Sequence, residues 1–149
     1  MVRVVAQRVR SASVSVDGSE IGAIGRGLLL LVGIRRGDDE SAVDRMADKV
    51  AVIRLFADEA GKMNLSTADV DGAMLAVSQF TLYADVRKGR RPSFIGAADP
   101  EMGLRLYERF VSRLESHGYR VERGRFGAHM LIRLENDGPV TMILDSEEL

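Results

Sequence analysis

A short, strongly apolar run near the middle of the chain, Ala73–Val77, places the strongest constraint on its fold. The run is too short for an amphipathic helix and predicts a strand buried on both faces. It continues directly into Ser78, Gln79 and Thr81, which carry two hydroxyls and an amide. A buried polar group without a partner costs about 1–3 kcal/mol. These groups therefore mark either a ligand site or a strand end whose side chains bond to neighbouring backbone.

Further strands are predicted on both sides of this run. Leu28–Val32 is a second apolar run and predicts a second buried strand. Val2–Val9 predicts a first strand, Ser11–Val16 alternates and stops at the hairpin pair Asp17-Gly18, and Ile21–Ile24 predicts the return strand. Later strands are predicted over Ala73–Phe80, Tyr119–Glu122, Met130–Leu134 and Val140–Leu144.

Two segments have the periodicity of amphipathic helices. The first begins at Asp38 or Asp39, and the second begins at Asp99-Pro100-Glu101 and ends before Gly118. The predicted apolar stripes are Val43, Met46, Ala47, Val50 and Ile53 in the first helix and Leu104, Tyr107, Val111 and Leu114 in the second. The order of elements predicts an α/β fold, a mixed sheet with two helices, and the length predicts one domain over residues 1–149.

Composition excludes several kinds of chemistry. The chain contains no Cys, which rules out disulfides, thiolate nucleophiles and cysteine zinc sites. His117 and His129 have no ligand-spaced partner, and the glycines near Gly25 do not have dinucleotide-loop spacing, so we expect neither a metal nor a cofactor. No signal peptide is visible and the longest apolar run cannot span a bilayer, so we expect a cytoplasmic protein without a membrane partner.

A basic loop follows the polar strand end. Arg87–Arg91 carries four cations in five positions, whereas the whole chain has a net charge of −1. A polyanion would therefore have to be held by a local patch such as this one. Phe94, just beyond the loop, either stacks on a base or anchors the loop by hydrophobic contact.

A second candidate segment, Asn136–Thr141, has turn composition. It contains Gly138-Pro139, and an X–Pro bond is the one peptide bond at which the cis form is inexpensive. A cis bond there would direct two adjacent carbonyl oxygens towards a ligand.

Together these motifs resemble those of the D-aminoacyl-tRNA deacylase family, and the resemblance spans essentially the whole chain. The two specific motifs are Ser78–Leu82 and Asn136–Thr141, which occur in the expected order and at matching distances from both ends. Supporting segments are Gln7-Arg8-Val9, Gly61–Asn64, Arg91–Phe94 and Gly124–Phe126.

The resemblance implies a β/β/α layered homodimer, with active sites at the subunit interface, that hydrolyses the ester between a D-amino acid or glycine and the 3′ end of tRNA. It assigns Ser78, Gln79, Phe80 and Thr81 to the pocket, Gly138 and Pro139 of the partner subunit to a cis-proline chirality filter, Arg8 to the support of that loop, and Phe94 to the neighbourhood of the terminal adenosine. An L side chain is expected to clash with the filter, whereas glycine is expected to pass it.

The residues themselves constrain the mechanism. No base is visible for Thr81, the obvious nucleophile, so we expect catalysis by backbone groups assisted by the ribose 2′-hydroxyl of the substrate. One alternative is a nucleic-acid-binding module without deacylase activity. Another is a paralogue that edits mischarged L-alanyl-tRNA, against which the Ser78–Leu82 motif argues.

Overall fold

The computed structural model describes all residues 1–149, which form eight β-strands, two α-helices and two short 3₁₀ helices. The elements in chain order are β1 (Arg3–Val16), β2 (Ser19–Ile24), β3 (Gly27–Gly33), α1 (Glu40–Val52), β4 (Arg54–Ala57), β5 (Met63–Ser66), β6 (Ala73–Ser78), the 3₁₀ helix Phe80–Tyr83, α2 (Pro100–Ser116), β7 (Val121–Arg123), β8 (Leu131–Asp145) and the 3₁₀ helix Ser146–Glu148.

Strand β1 organises the main sheet, which has six strands in the order β2-β1-β3-β6-β7 with β8 paired to β1. The first half of β1 pairs with β3 and its second half with β2, while β8 follows both halves. These pairings are antiparallel, whereas β6 runs parallel to β3 and β7, which makes the sheet mixed. Strands β4 and β5 form a separate hairpin.

The two faces of the sheet cover two different apolar clusters. Alternate residues of β6 divide between them: Met74 and Ala76 join the cluster of 24 residues under the helices, and Leu75 and Val77 join a cluster of seven. The smaller cluster also contains residues from the second half of β1 and from β2. Both faces of β6 are therefore buried, as its apolar run predicted, and the α/β class with β/β/α layering is confirmed.

Both helices begin where their capping residues predicted. The side chain of Asp39 accepts a hydrogen bond from the Ala42 amide (2.8 Å), and that of Asp99 accepts one from the Met102 amide (3.0 Å). Three ion pairs, which we call the helix ladder, join the exposed faces of α1 and α2. The pairs are Glu40–Arg105 (2.7 Å), Asp44–Arg109 (2.8 Å) and Asp48–Arg113 (2.8 Å).

Some element boundaries differ from the predicted ones. The two N-terminal strands are one continuous strand, β1, and the two C-terminal strands are one, β8, because β1 and β8 pair with each other along both halves. Strand β6 ends at Ser78, so Phe80 lies in a 3₁₀ helix. Leu104 is wrongly assigned to the buried stripe of α2, since it is 36% exposed and Leu106 is buried instead. Neither helix has the length and apolar character needed to cross a lipid bilayer.

Candidate active site

A cavity with a volume of about 530 Å³ lies at the carboxyl end of β6. Its wall is mainly apolar and includes Ser78 and Gln79 as polar residues. The lining residues are Val77, Ser78, Gln79, Phe80, Phe94, Ala97, Ala98, Pro100, Phe126, Gly127, Ala128, Met130 and Ile132. No His, Asp, Glu, Lys or Arg is among them, so the cavity offers no side-chain base.

Backbone pairing directs β6 into this cavity. The strand continues one residue past Ser78 through a hydrogen bond from the Gln79 amide to the Val32 carbonyl (2.8 Å). The chain then turns into the 3₁₀ helix Phe80–Tyr83, and the Gln79 side-chain amide donates to the hydroxyl of Thr81. Thr81 therefore lies beside the cavity wall with its oxygen engaged by an amide, and no carboxylate or imidazole is hydrogen-bonded to it.

Two aromatic rings form one edge of the cavity. Phe80 is 54% exposed and packs edge-to-face on Phe94, with ring centroids 5.0 Å apart. The chain between these rings contains a hairpin closed by mutual backbone hydrogen bonds between Asp85 and Ser93 (2.7 and 2.8 Å). This hairpin places Phe94 beside Phe80, so the ring both lines the cavity and anchors the loop.

A buried tyrosine of helix α2 forms a hydrogen bond with strand β6. The Tyr107 hydroxyl donates to the Ala76 carbonyl (2.7 Å), and burial raises the pKa of Tyr107 to about 12. Its ring also neighbours Phe126, with centroids 6.3 Å apart. Tyr107 thus connects helix α2 to β6 at Ala76, two residues before Ser78.

The far wall of the cavity, which includes Phe126, Met130 and Ile132, was not predicted from the sequence. One signal for it was available: Gly103 is a glycine inside a helix. A Cβ at that position would lie 3.4 Å from the Phe126 ring, so the glycine admits the aromatic side chain next to the helix.

Gly138 and Pro139 lie elsewhere, in the part of β8 from Asp137 to Val140 that has no partner on β1. We call its first three residues the Asp137–Pro139 loop. Gly138 and Pro139 are both exposed, the bond between them is cis, and neither lines the cavity of the same chain. The Asn136 side chain closes the loop, accepting from the Val140 amide (2.7 Å) and donating to the Val140 carbonyl (3.2 Å).

Arg8 braces this loop from the opposite strand. Its guanidinium donates to the Asp137 carbonyl (2.8 Å) and to the Leu55 carbonyl (2.7 Å). The predicted site residues thus form two groups within one chain. Ser78, Gln79, Phe80 and Phe94 line the cavity with Thr81 beside it, and Arg8 holds the separate loop of Gly138 and Pro139.

Residues 5–145 match the family model of D-Tyr-tRNA(Tyr) deacylase. The chain belongs to this family. Curated D-aminoacyl-tRNA deacylases confirm the relationship: that of Thermomicrobium roseum is 59% identical over 99% of this chain and 96% of its own length. That of Thermotoga petrophila is 54% identical over 99% of both chains. The family predicted from the sequence is therefore correct.

Two solved structures are similar to this chain in fold. A structure described as the c-Myc DNA Unwinding Element Binding Protein has a TM-score of 0.89 and 41% identity, covering 96% of this chain and 97% of that one. A structure described as a probable eukaryotic D-amino acid tRNA deacylase has a TM-score of 0.84 over 96% of this chain and 98% of that one. Its identity of 19% makes it support for the fold alone.

Proposed function

We propose that this chain hydrolyses the ester bond of D-aminoacyl-tRNA, releasing a free D-amino acid and tRNA. As a member of the deacylase family it is a hydrolase of carboxylic esters. The observation that carries the proposal is the cavity at the end of β6, where Ser78, Gln79 and Phe80 meet Phe94. Its size and mixed lining suit an amino acid together with a terminal nucleoside.

The chemistry we propose does not require a side-chain base. An aminoacyl ester is already activated, so positioning it and stabilising the developing oxyanion suffices for hydrolysis. Backbone groups of the Ser78–Thr81 segment hold the oxyanion, and the ribose 2′-hydroxyl of the substrate assists proton transfer. The absence of titratable side chains from the cavity wall supports this scheme. Thr81 lines the substrate path and forms no covalent intermediate.

The protein acts as a homodimer in which the Asp137–Pro139 loop of one chain reaches the cavity of the other. The loop is exposed and held rigidly by Arg8, although it has no part in the cavity of its own chain. Strand β8, which carries the loop, also exposes Leu131 (60%) and Ile143 (69%), apolar side chains that an interface would cover.

Cross-linking tests this composite site cleanly because the chain has no Cys. A mixture of the variants Thr81→Cys and Asp137→Cys, treated with a short bismaleimide, should give a covalent dimer. A mixture of Thr81→Cys with Lys49→Cys, which lies on α1, should not. Equal cross-linking in both mixtures, or none in either, would exclude the arrangement.

The Gly138-Pro139 loop of the partner subunit excludes L-aminoacyl esters. Carbonyl groups held rigidly near the substrate α-carbon clash with an L side chain and leave room for its D counterpart. Glycine has no side chain to clash, so glycyl-tRNA, including tRNA-Ala mischarged with glycine, is also a substrate. Release of amino acid from D-tyrosyl-, L-tyrosyl- and glycyl-tRNA tests the proposal: we expect hydrolysis of the first and third only.

A second candidate is DNA binding without deacylation. It is favoured by one observation, the 41% identity with a structure named for binding a DNA unwinding element. Tight binding of duplex DNA by a preparation that leaves D-tyrosyl-tRNA intact would establish it in place of the deacylase.

A further inference from the structure

The arginine and lysine side chains of this protein fall into two groups. On the helix face, Arg105, Arg109 and Arg113 each pair with a carboxylate of the helix ladder. Arg10, Arg87, Arg120 and Arg123 pair with carboxylates elsewhere on the surface. The remaining exposed cations have no carboxylate within 4.0 Å of their side-chain nitrogens. Five of these free cations are attached to the two segments that flank the cavity-lining residues Phe94 and Ala97. They are Arg35, Arg36, Lys88, Arg90 and Arg91, and we call them the basic rim.

Backbone contacts place the rim next to the cavity. Lys88, Arg90 and Arg91 belong to the hairpin that Asp85 and Ser93 close and that leads into Phe94.

The other two rim cations lie beside the next part of the wall. The Arg36 amide donates to the Gly96 carbonyl (2.9 Å), and Arg35 forms a β-bridge with Ala97, which lines the cavity. Both groups of cations therefore flank the single segment Phe94–Ala97.

One cation of the hairpin is excluded from this set. Arg87 donates through two nitrogens to the carboxylate of Asp85 (2.9 and 2.7 Å), and this pairing lowers the pKa of Asp85 to about 2. The pair neutralises Arg87 at the base of the hairpin. The unpaired charges are therefore the ones beyond it.

We propose that the basic rim binds the backbone phosphates of the tRNA acceptor stem while the aminoacylated 3′ end lies in the cavity. This inference rests on the proposed deacylase function. Cations in contact with phosphates release counterions and contribute affinity that depends on salt. Double-stranded RNA is recognised mainly through its phosphates, 2′-hydroxyls and shape, which suits a rim of flexible, sequence-independent cations. With a net charge of −1, the chain has no general attraction for a polyanion, so the rim supplies it locally.

The test separates the tRNA body from its 3′ end. One variant is Arg90→Gln with Arg91→Gln, and its matched control is Arg45→Gln with Lys49→Gln. The control removes the same charge from α1. Arg45 and Lys49 are next to the ladder residues Asp44 and Asp48, whose α2 partners lie about 14 and 20 Å along the helix from Pro100 at the cavity. Each protein is assayed for binding to deacylated tRNA and for hydrolysis of both D-tyrosyl-tRNA and D-tyrosyl-adenosine, which has no stem.

We expect the rim variant to bind tRNA about tenfold more weakly, with its log–log salt slope reduced by about 1.5. Its KM for D-tyrosyl-tRNA should rise by a similar factor. Its kcat/KM for D-tyrosyl-adenosine should stay within about twofold of wild type. The control variant should stay within about twofold of wild type in tRNA affinity and in hydrolysis of both substrates. Unchanged tRNA affinity, or equal losses on both substrates, would overturn the proposal. So would binding of an acceptor-length DNA duplex as tight as that of tRNA, which would make the rim a DNA surface.

Failure of the deacylase function gives a different result. A wild-type protein that hydrolyses neither D-tyrosyl substrate contradicts the proposed function. The binding of deacylated tRNA then still tests whether the basic rim binds tRNA, because that measurement requires no hydrolysis.

Discussion

The Arg8 guanidinium donates to the Asp137 carbonyl across 2.8 Å, and Asp137 begins the loop that carries Gly138 and Pro139. A second hydrogen bond from Arg8, to Leu55, fixes the guanidinium itself at 2.7 Å. The loop is therefore positioned by a charged group on the opposite strand, independently of any substrate.

Removing this brace should loosen stereochemical control. A hydrogen bond involving a charged group contributes about 1.5–3 kcal/mol, so Arg8→Gln should lower the ratio of D to L hydrolysis rates by about tenfold or more. Parallel deacylation assays on D- and L-tyrosyl-tRNA measure this ratio. Arg10→Gln is the control, because the Arg10 side chain is 76% exposed and its ion pair with the Asp137 carboxylate is long, at 3.9 Å, and therefore weak. An unchanged ratio in Arg8→Gln, or an equal loss in both variants, would refute the bracing role.

Gly138 is predicted to tolerate no side chain. Its φ is +148°, and a Cβ there would lie 2.8 Å from the Val140 amide nitrogen. Gly138→Ala should therefore displace the loop at a cost of about 1–3 kcal/mol and reduce the D-to-L ratio. Gly25→Ala is the matched control, since nothing lies within 4 Å of the added methyl group. Wild-type stereoselectivity in Gly138→Ala would show that the loop plays no part in the selection.

Thr81 is predicted to be dispensable for bond cleavage. Its hydroxyl accepts from Gln79 and has no base beside it, so Thr81→Ala loses one hydrogen bond. At about 0.5–1.5 kcal/mol, this loss should reduce kcat for D-tyrosyl-tRNA no more than about tenfold. Single-turnover kinetics measure the effect, with Thr81→Ser as the variant that keeps the hydroxyl. A loss of roughly a thousandfold or more in Thr81→Ala that Thr81→Ser restores would identify a nucleophile.

The helix ladder should make stability depend on acidic pH. Hydrogen bonds from Arg113 and from His117 hold the pKa of Asp48 well below its usual range, and Arg109 lowers that of Asp44. Carboxylates with lowered folded-state pKa values stabilise the protein fully above an unfolded-state pKa of about 3.9. That contribution is lost as the pH falls further, through the lower folded-state values.

Urea unfolding at neutral pH and at about pH 3 tests this ladder effect. Asp48→Asn should lower the free energy of unfolding more at neutral pH than at the acidic pH. The variant should therefore lose less stability than wild type when the pH is lowered. Glu59→Gln, at an exposed carboxylate outside every ion pair, should leave the pH profile unchanged. If wild type and Asp48→Asn lost the same unfolding free energy between the two pH values, the stabilising role of the helix ladder would be contradicted.

Local patterns in the sequence predicted the elements of this fold well. The apolar run before Ser78 and the capping residues Asp39 and Asp99 depend on neighbours along the chain, and all three predictions are correct. The single long strands β1 and β8 were missed because their continuity depends on pairing between residues over 100 positions apart.

The residues of the cavity also divide into those that local motifs predicted and those that depend on contacts distant in the sequence. The segments carrying Ser78 and Phe94 stood out as motifs, and the structure brings both to one cavity. Phe126 was noted only as part of a supporting segment, and Met130 and Ile132 only as part of a strand. These residues form a wall only when the folded chain brings them to the end of β6. The stripe of α2 was misassigned at Leu104, where the helix face is shifted relative to the pattern we expected.

The most direct test of the central claim compares single-turnover rate constants for D- and L-tyrosyl-tRNA carrying the same tRNA body. The account predicts rapid hydrolysis of the D ester and, for the L ester, a rate no faster than spontaneous loss. Equal enzymatic rates for the two esters, or no enzymatic hydrolysis of either, would contradict it.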